Sequence, residues 1–170
     1  MEDRLLSHVE FRYDQDGNLV EEAQTKVAEM LSPEMLASMN QAQLETVRGL
    51  LGPAGEPIRR MHRYNEQGQR TETRWRVGSL AQYRTTVAYN DHGDQIETIF
   101  EHQAREYSLD DEGRLSDAPT SERVSRSEAR FRYDYDMHGN WVMQTVESRA
   151  GSDQDFTLSS VERRTLGYFE

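Results

Sequence analysis

Apolar and polar residues alternate along much of this chain with a period of two, the signature of strands that turn one face toward a core. Val9, Phe11 and Tyr13 alternate with Glu10 and Arg12, and Tyr83, Thr85, Val87 and Tyr89 alternate with Gln82, Arg84 and Thr86. In the outgoing strands Trp75 and Val77, and Ile96 and Phe100, fall on the opposite phase. Either bulges shift the register there, or both faces of the sheet are partly covered. Phe131, Tyr133 and Tyr135 share a phase, with Trp141 and Met143 opposite them. One segment follows another period: Leu36, Met39, Leu44, Val47, Leu50 and Leu51 recur at helical spacing. Ser32-Pro33 suits its start and Gly52-Pro53 its end, which predicts an amphipathic helix over about 33–51 within an insertion at about 28–52. Residues 116–127 read as a loop, and a last strand over about 156–169 is expected to close one sheet edge.

A short unit recurs between the strands. Tyr13-Asp14-Gln15-Asp16-Gly17, Tyr64-Asn65-Glu66-Gln67-Gly68, Tyr89-Asn90-Asp91-His92-Gly93 and Tyr135-Asp136-Met137-His138-Gly139 share it, and Leu109-Asp110-Asp111-Glu112-Gly113 is a weaker copy. Asp or Asn opens a type I turn by bonding its own backbone two residues on, and glycine takes the following left-handed position. Five hairpin tips are therefore expected, built on Asp14 and Gly17, Asn65 and Gly68, Asn90 and Gly93, Asp110 and Gly113, and Asp136 and Gly139. Each preceding tyrosine or leucine should face the second residue after glycine: Leu19, Arg70, Gln95, Leu115 and Trp141. Glycine spacings of 51, 25, 20 and 26 residues mark one hairpin plus a return as the unit, the first gap being doubled by the helical insertion.

Arg132-Tyr133-Asp134-Tyr135-Asp136-Met137-His138-Gly139-Asn140-Trp141, with Phe11 to Leu19 close behind, resembles the unit of the YD-repeat or RHS-like bacterial proteins. The resemblance implies a chain of hairpins across most of the sequence. It does not carry the toxin-enclosing role of large members, because the Asp-Pro-x-Gly stretch that closes such shells is absent. The fold expected is mainly β: one domain over 1–170, an antiparallel meander of about ten or eleven strands forming a curved or partly closed sheet, with the helix packed across it.

Charge narrows the partners. A net charge of −11 disfavours nucleic acid and anionic membranes, both of which attract clustered Lys and Arg. Nineteen arginines accompany a single lysine, Lys26, and there is no cysteine, hence no disulfide, thiolate ligand or cysteine nucleophile. Met1 to Leu6 is no signal peptide and no apolar run reaches membrane-spanning length. The expected setting is bacterial: cytoplasmic if the chain is complete, periplasmic or secreted if a signal has been removed.

Candidate chemistry is sparse. Asp14-Gln15-Asp16-Gly17-Asn18 lacks the further ligands of a calcium loop, and turn chemistry explains the same residues. His92 and His138 precede turn glycines in equivalent positions and read as exposed turn residues, so no metal or other cofactor is expected. Glu21, Glu72, Glu97 and Asp117 each follow a turn glycine by four residues, and pairing with Arg12, Arg63, Arg74 or Arg84 is expected to offset their mutual repulsion. No nucleophile elbow, phosphate loop or dinucleotide fingerprint is present. The leading expectation is thus a non-enzymatic binding or scaffolding module for a protein or envelope glycan, with a homo-oligomer open. The alternatives are a carboxylate-dependent hydrolase on the concave sheet face and an accessory, immunity-like protein that binds a basic partner.

Overall fold

The computed structural model describes residues 8–25, 38, 40, 41, 44, 58–108, 116 and 118–168. Among them nine strands form one antiparallel sheet in chain order: β1 (His8–Tyr13), β2 (Leu19–Thr25), β3 (Ile58–Tyr64), β4 (Arg70–Val77), β5 (Ala81–Tyr89), β6 (Gln95–Glu106), β7 (Ser121–Tyr135), β8 (Trp141–Ala150) and β9 (Thr157–Arg163). The meander is as expected, with nine strands where about ten or eleven were predicted. β1 and β9 are its two edges and do not pair with each other, so the sheet is open and not partly closed.

Four hairpins share one design. Tyr13 faces Leu19, Tyr64 faces Arg70, Tyr89 faces Gln95 and Tyr135 faces Trp141, as the repeat predicts. Immediately before each tyrosine the ladder slips by one residue, leaving Val20, Thr71, Ile96 and Val142 as extra residues on the outgoing strands. That slip resolves the conflict of phase. Trp75 lies directly across from Tyr83, and Phe100 across from Thr85, so the aromatic residues of β4, β5 and β6 share one face. Trp141 joins Tyr135 on that face, while Met143 faces Asp134 on the other.

The four tips lie at one end of the sheet, and the connections 78–80 and 151–156 lie at the opposite end. Asp110 and Gly113 of the fifth copy, between β6 and β7 in the sequence, lie outside the described residues. The expected loop over 116–127 is corrected: β7 begins at Ser121 and pairs residue by residue with the end of β6, from Glu106 opposite Ser121 onward. Local propensity reads Ser-rich sequence as loop, but a long partner strand and the Arg126–Glu101 ion pair at 2.8 Å hold it extended. β9 ends at Arg163, short of the expected strand, and residues 164–168 are irregular.

The helix expected over about 33–51 lies outside the described residues except for Ser38, Asn40, Gln41 and Leu44. Of these Ser38, Gln41 and Leu44 are helical, and the Leu44 N–H donates to the Asn40 carbonyl at 3.0 Å. Among the described residues Ala23 is the single buried hydrophobic side chain, whereas His62, Glu72 and Glu128 are buried polar ones. The sheet is thus held by its ladder and by polar packing on its faces.

Candidate binding surface

The tips are built first by their own side chains. One oxygen of Asp14 accepts from the N–H groups of Asp16 (3.0 Å) and Asn18 (2.8 Å), and Asn65, Asn90 and Asp136 repeat the pattern with Gln67 and Gln69, His92 and Asp94, and His138 and Asn140. Gly17, Gly68, Gly93 and Gly139 adopt φ between 73° and 84°, a region costly for residues with a Cβ. The Asn18 side chain and these N–H donors hold the Asp14 carboxyl below its ordinary value.

A second role of the repeated tyrosine is not visible in the motif. The hydroxyl of Tyr64 donates to the carbonyl of Leu19 (2.9 Å), and that of Tyr89 to the carbonyl of Arg70 (2.9 Å). Each acceptor is the second residue after glycine in the preceding hairpin. Tyr133 does the same to Gln95 (2.9 Å), which leaves Tyr135 to bond the Asp94 carboxylate (2.7 Å) and accept from Asn90 (2.7 Å). The tyrosines therefore staple hairpin to hairpin. At the last tip Tyr168, from the irregular tail, copies Tyr135: its hydroxyl sits between Asp136 and Asn140, the equivalent turn positions.

His92 stacks on Tyr135 (4.2 Å) and His138 on Tyr168 (4.3 Å), so the two histidines serve different tyrosines and do not converge. Among the described residues no cluster of three or more His, Asp or Glu is placed to hold a metal ion.

On one face of the sheet Arg12, Glu21, Met61, Arg74, Arg84, Glu101 and Arg126 lie directly opposite one another in a row across seven strands. Glu21, Glu72, Glu101 and Glu128 bind seven guanidinium groups between them. Glu21 takes Arg12 and Arg59; Glu72 takes Arg74 and Arg84 (both 2.8 Å) and Arg63 (3.6 Å); Glu128 takes Arg126 (2.6 Å) and Arg149 (2.7 Å). Glu101 shares Arg84 and Arg126. The expected partners of Glu21 and Glu72 are all present, Glu97 pairs with Arg130 (3.5 Å), and Asp117 lies outside the described residues. Glu128, the most buried acid among the described residues, carried no repeat signal because it precedes its tip.

Burial pushes the Glu72 carboxyl up, but its hydrogen bonds to Arg74 and Arg84 prevail and leave it below the ordinary range. Arg59 lowers Glu21 and Arg126 lowers Glu128 in the same way. A shallow groove of about 610 Å³ on this face is lined by Arg59, Met61, Arg74, Arg76, Arg84 and Val124, and among the described residues Arg76 has no carboxylate partner.

The opposite face carries a column of flat groups on adjacent strands. Arg60 approaches Trp75 (5.9 Å), Trp75 stacks on Tyr83 (4.8 Å, 6° between planes), and Tyr83 stacks on His102 (4.5 Å, 10°), with Phe100 beside them. A stacking distance near the strand spacing of about 4.8 Å means the rings stand upright, faces together and edges outward.

Beside the column, His62 is buried between Glu22 (Nε2, 3.2 Å) and the Thr73 hydroxyl (Nδ1, 3.0 Å). A neutral ring protonated at Nε2 satisfies both contacts, donating to Glu22 and accepting from Thr73. The trio resembles an acid–base–alcohol relay, but every strand around Thr73 is paired on both sides, so no backbone N–H converges on a developing oxyanion. Sequence reasoning missed His62 because nothing in its spacing distinguishes it; Glu22, His62 and Thr73 meet only through pairing of three strands.

Compared with known proteins, the chain matches no family model, no curated protein and no solved structure. No helix among the described residues is long and apolar enough to cross a membrane.

Proposed function

We propose that this chain is a non-enzymatic binding or scaffolding module, a single domain built from YD-type hairpins, that docks a polypeptide on its aromatic face. The observation that carries this reading is the upright column Trp75–Tyr83–His102 with Phe100 beside it. It stands on a sheet whose described residues bury one hydrophobic side chain. Aromatic edges and half-buried apolar side chains suit an apolar protein surface. A glycan needs a free ring face for its pyranose, and here Trp75 and Tyr83 spend their faces on each other.

The hydrolase alternative is disfavoured by the state of its acids. A general acid needs a raised pKa, whereas Glu72 and Glu128 are held down by paired arginines. A photo-crosslinking residue placed at His102 in the native host tests the proposal. The expected product is a discrete polypeptide adduct, weakened by Phe100→Ser and absent when the crosslinker sits at Arg76. A carbohydrate adduct would transfer the reading to a glycan, and glycoside hydrolysis abolished by Glu72→Gln would replace it with the enzyme.

A further inference from the structure

The two sheet edges are not alike. β9 is interrupted by a bulge: Val146 faces Ser160 and Glu147 faces Leu158, so Ser159 is left over. Bulges of this kind blunt an edge against further pairing. β1 has no extra residue, all six of its residues are exposed, and Val9, Phe11 and Tyr13 stand 39%, 56% and 59% exposed on the aromatic face. The Asp14 N–H donates across the hairpin to the Asn18 carbonyl. Strand alternation therefore points the backbone groups of Arg12 and Glu10 toward β2, and those of Val9, Phe11 and Tyr13 outward. In every later hairpin the repeated tyrosine staples to the hairpin before it. No described hairpin precedes Tyr13, and among the described residues its hydroxyl has no partner.

From this edge we infer that β1 pairs with β1 of a second copy about a two-fold axis through Phe11. An antiparallel pairing centred there sets Phe11 against Phe11, Val9 against Tyr13 and Glu10 against Arg12, each reciprocally. The outward N–H and C=O groups of the residues at 9, 11 and 13 then meet in hydrogen-bonded pairs; a centre at 10 or 12 would still pair outward groups, 9 with 11 or 11 with 13, but would set Glu10 against Glu10 or Arg12 against Arg12. Charge complementarity selects the same register. Glu10, now touching His8 at 3.2 Å, comes opposite Arg12 of the second copy, and each Arg12, already 2.9 Å from its own Glu21, gains a second carboxylate. The axis stands perpendicular to the sheet, so the arginine–glutamate face and the aromatic face each continue across the join. This association does not depend on the partner proposed above.

Sedimentation of the full chain from about 1 to about 500 µM tests it, the range in which a strand-to-strand contact smaller than a standard interface is expected to form. The expected result is a monomer–dimer equilibrium. Phe11→Pro removes an outward N–H and leaves the β1–β2 ladder intact, as proline is tolerated where an edge faces solvent; it should weaken the dimer about tenfold or more. Glu10→Arg alone and Arg12→Glu alone should each stay monomeric, while an equimolar mixture of the two associates, because each Arg then meets a Glu. A monomer throughout the range overturns the inference, as does a dimer that neither Phe11→Pro nor the single charge reversals weaken, or reversals that fail to complement on mixing. Circular dichroism of each variant confirms that the sheet is retained.

Discussion

Arg12, Glu21, Met61, Arg74, Arg84, Glu101 and Arg126 cross one face of the sheet in a row; the residues one position along on the same strands, Phe11, Glu22, Arg60, Trp75, Tyr83, His102 and Ser125, cross the other. The same backbone ladder thus supports a face stabilised by charge and a face stabilised by stacked rings. The first is held together from within, since Glu21, Glu72, Glu101 and Glu128 are each shared by at least two guanidiniums, and it works in contact with water. The second gains from being covered, because ring edges and apolar side chains left in water forgo the stabilisation of about 25 cal/mol per Å² that burial brings. The division explains how a sheet can stand with so little hydrophobic core among its described residues and still keep one surface suited to a partner.

Acid should separate the two faces most strongly. Glu21, Glu72 and Glu128 have folded-state pKa values below the ordinary 4.5. Their contribution is fully present above about pH 4.5 and is lost as pH falls through the depressed folded values. Thermal melting by circular dichroism should therefore show Tm flat from neutrality to about pH 5 and falling steeply below. A Tm that is level down to pH 3 would mean that the arginine–glutamate face contributes little.

Glu72→Gln should be the most damaging single change, costing about 2–3 kcal/mol, at the low end for a broken buried pair because the arginine heads remain half in water. It leaves Arg74 and Arg84 directly opposite each other without their shared counter-ion. High salt should recover part of that loss by screening the two guanidiniums. Tyr83→Ala should cost somewhat less, about 1.5–2 kcal/mol, by removing two stacking contacts from a half-buried position, and salt should not change it. Urea unfolding of both variants at low and high salt distinguishes the faces; identical salt responses would contradict the division. Tyr89→Phe is the mildest, about 0.5–1 kcal/mol, since it deletes one hydroxyl staple to Arg70 and keeps the ring. Hydrogen exchange should show that loss locally, at the tips around Gly68 and Gly93.

The hairpins were legible because their determinants are local. An Asp or Asn that bonds N–H groups two and four residues on, and a glycine that accepts positive φ, act within five residues. They set the reversal at Gly17, Gly68, Gly93 and Gly139, and with it the pairing of Tyr13 with Leu19 or Tyr135 with Trp141. The ion pairs of Glu21 and Glu72 followed from the same register.

What the sequence by itself determined is the hairpin unit, its turn chemistry and the alternation of its strands. Which phase each outgoing strand adopts was decided by the bulges at Val20, Thr71, Ile96 and Val142, and the burial of His62 between Glu22 and Thr73 by the order in which hairpins stand side by side. The stapling of each tyrosine to the hairpin before it, and the return of Tyr168 to the last tip, also belong to the tertiary structure. The physical reason is distance along the chain: turn bonds close over a few residues, whereas these contacts join residues brought together only when neighbouring strands pair.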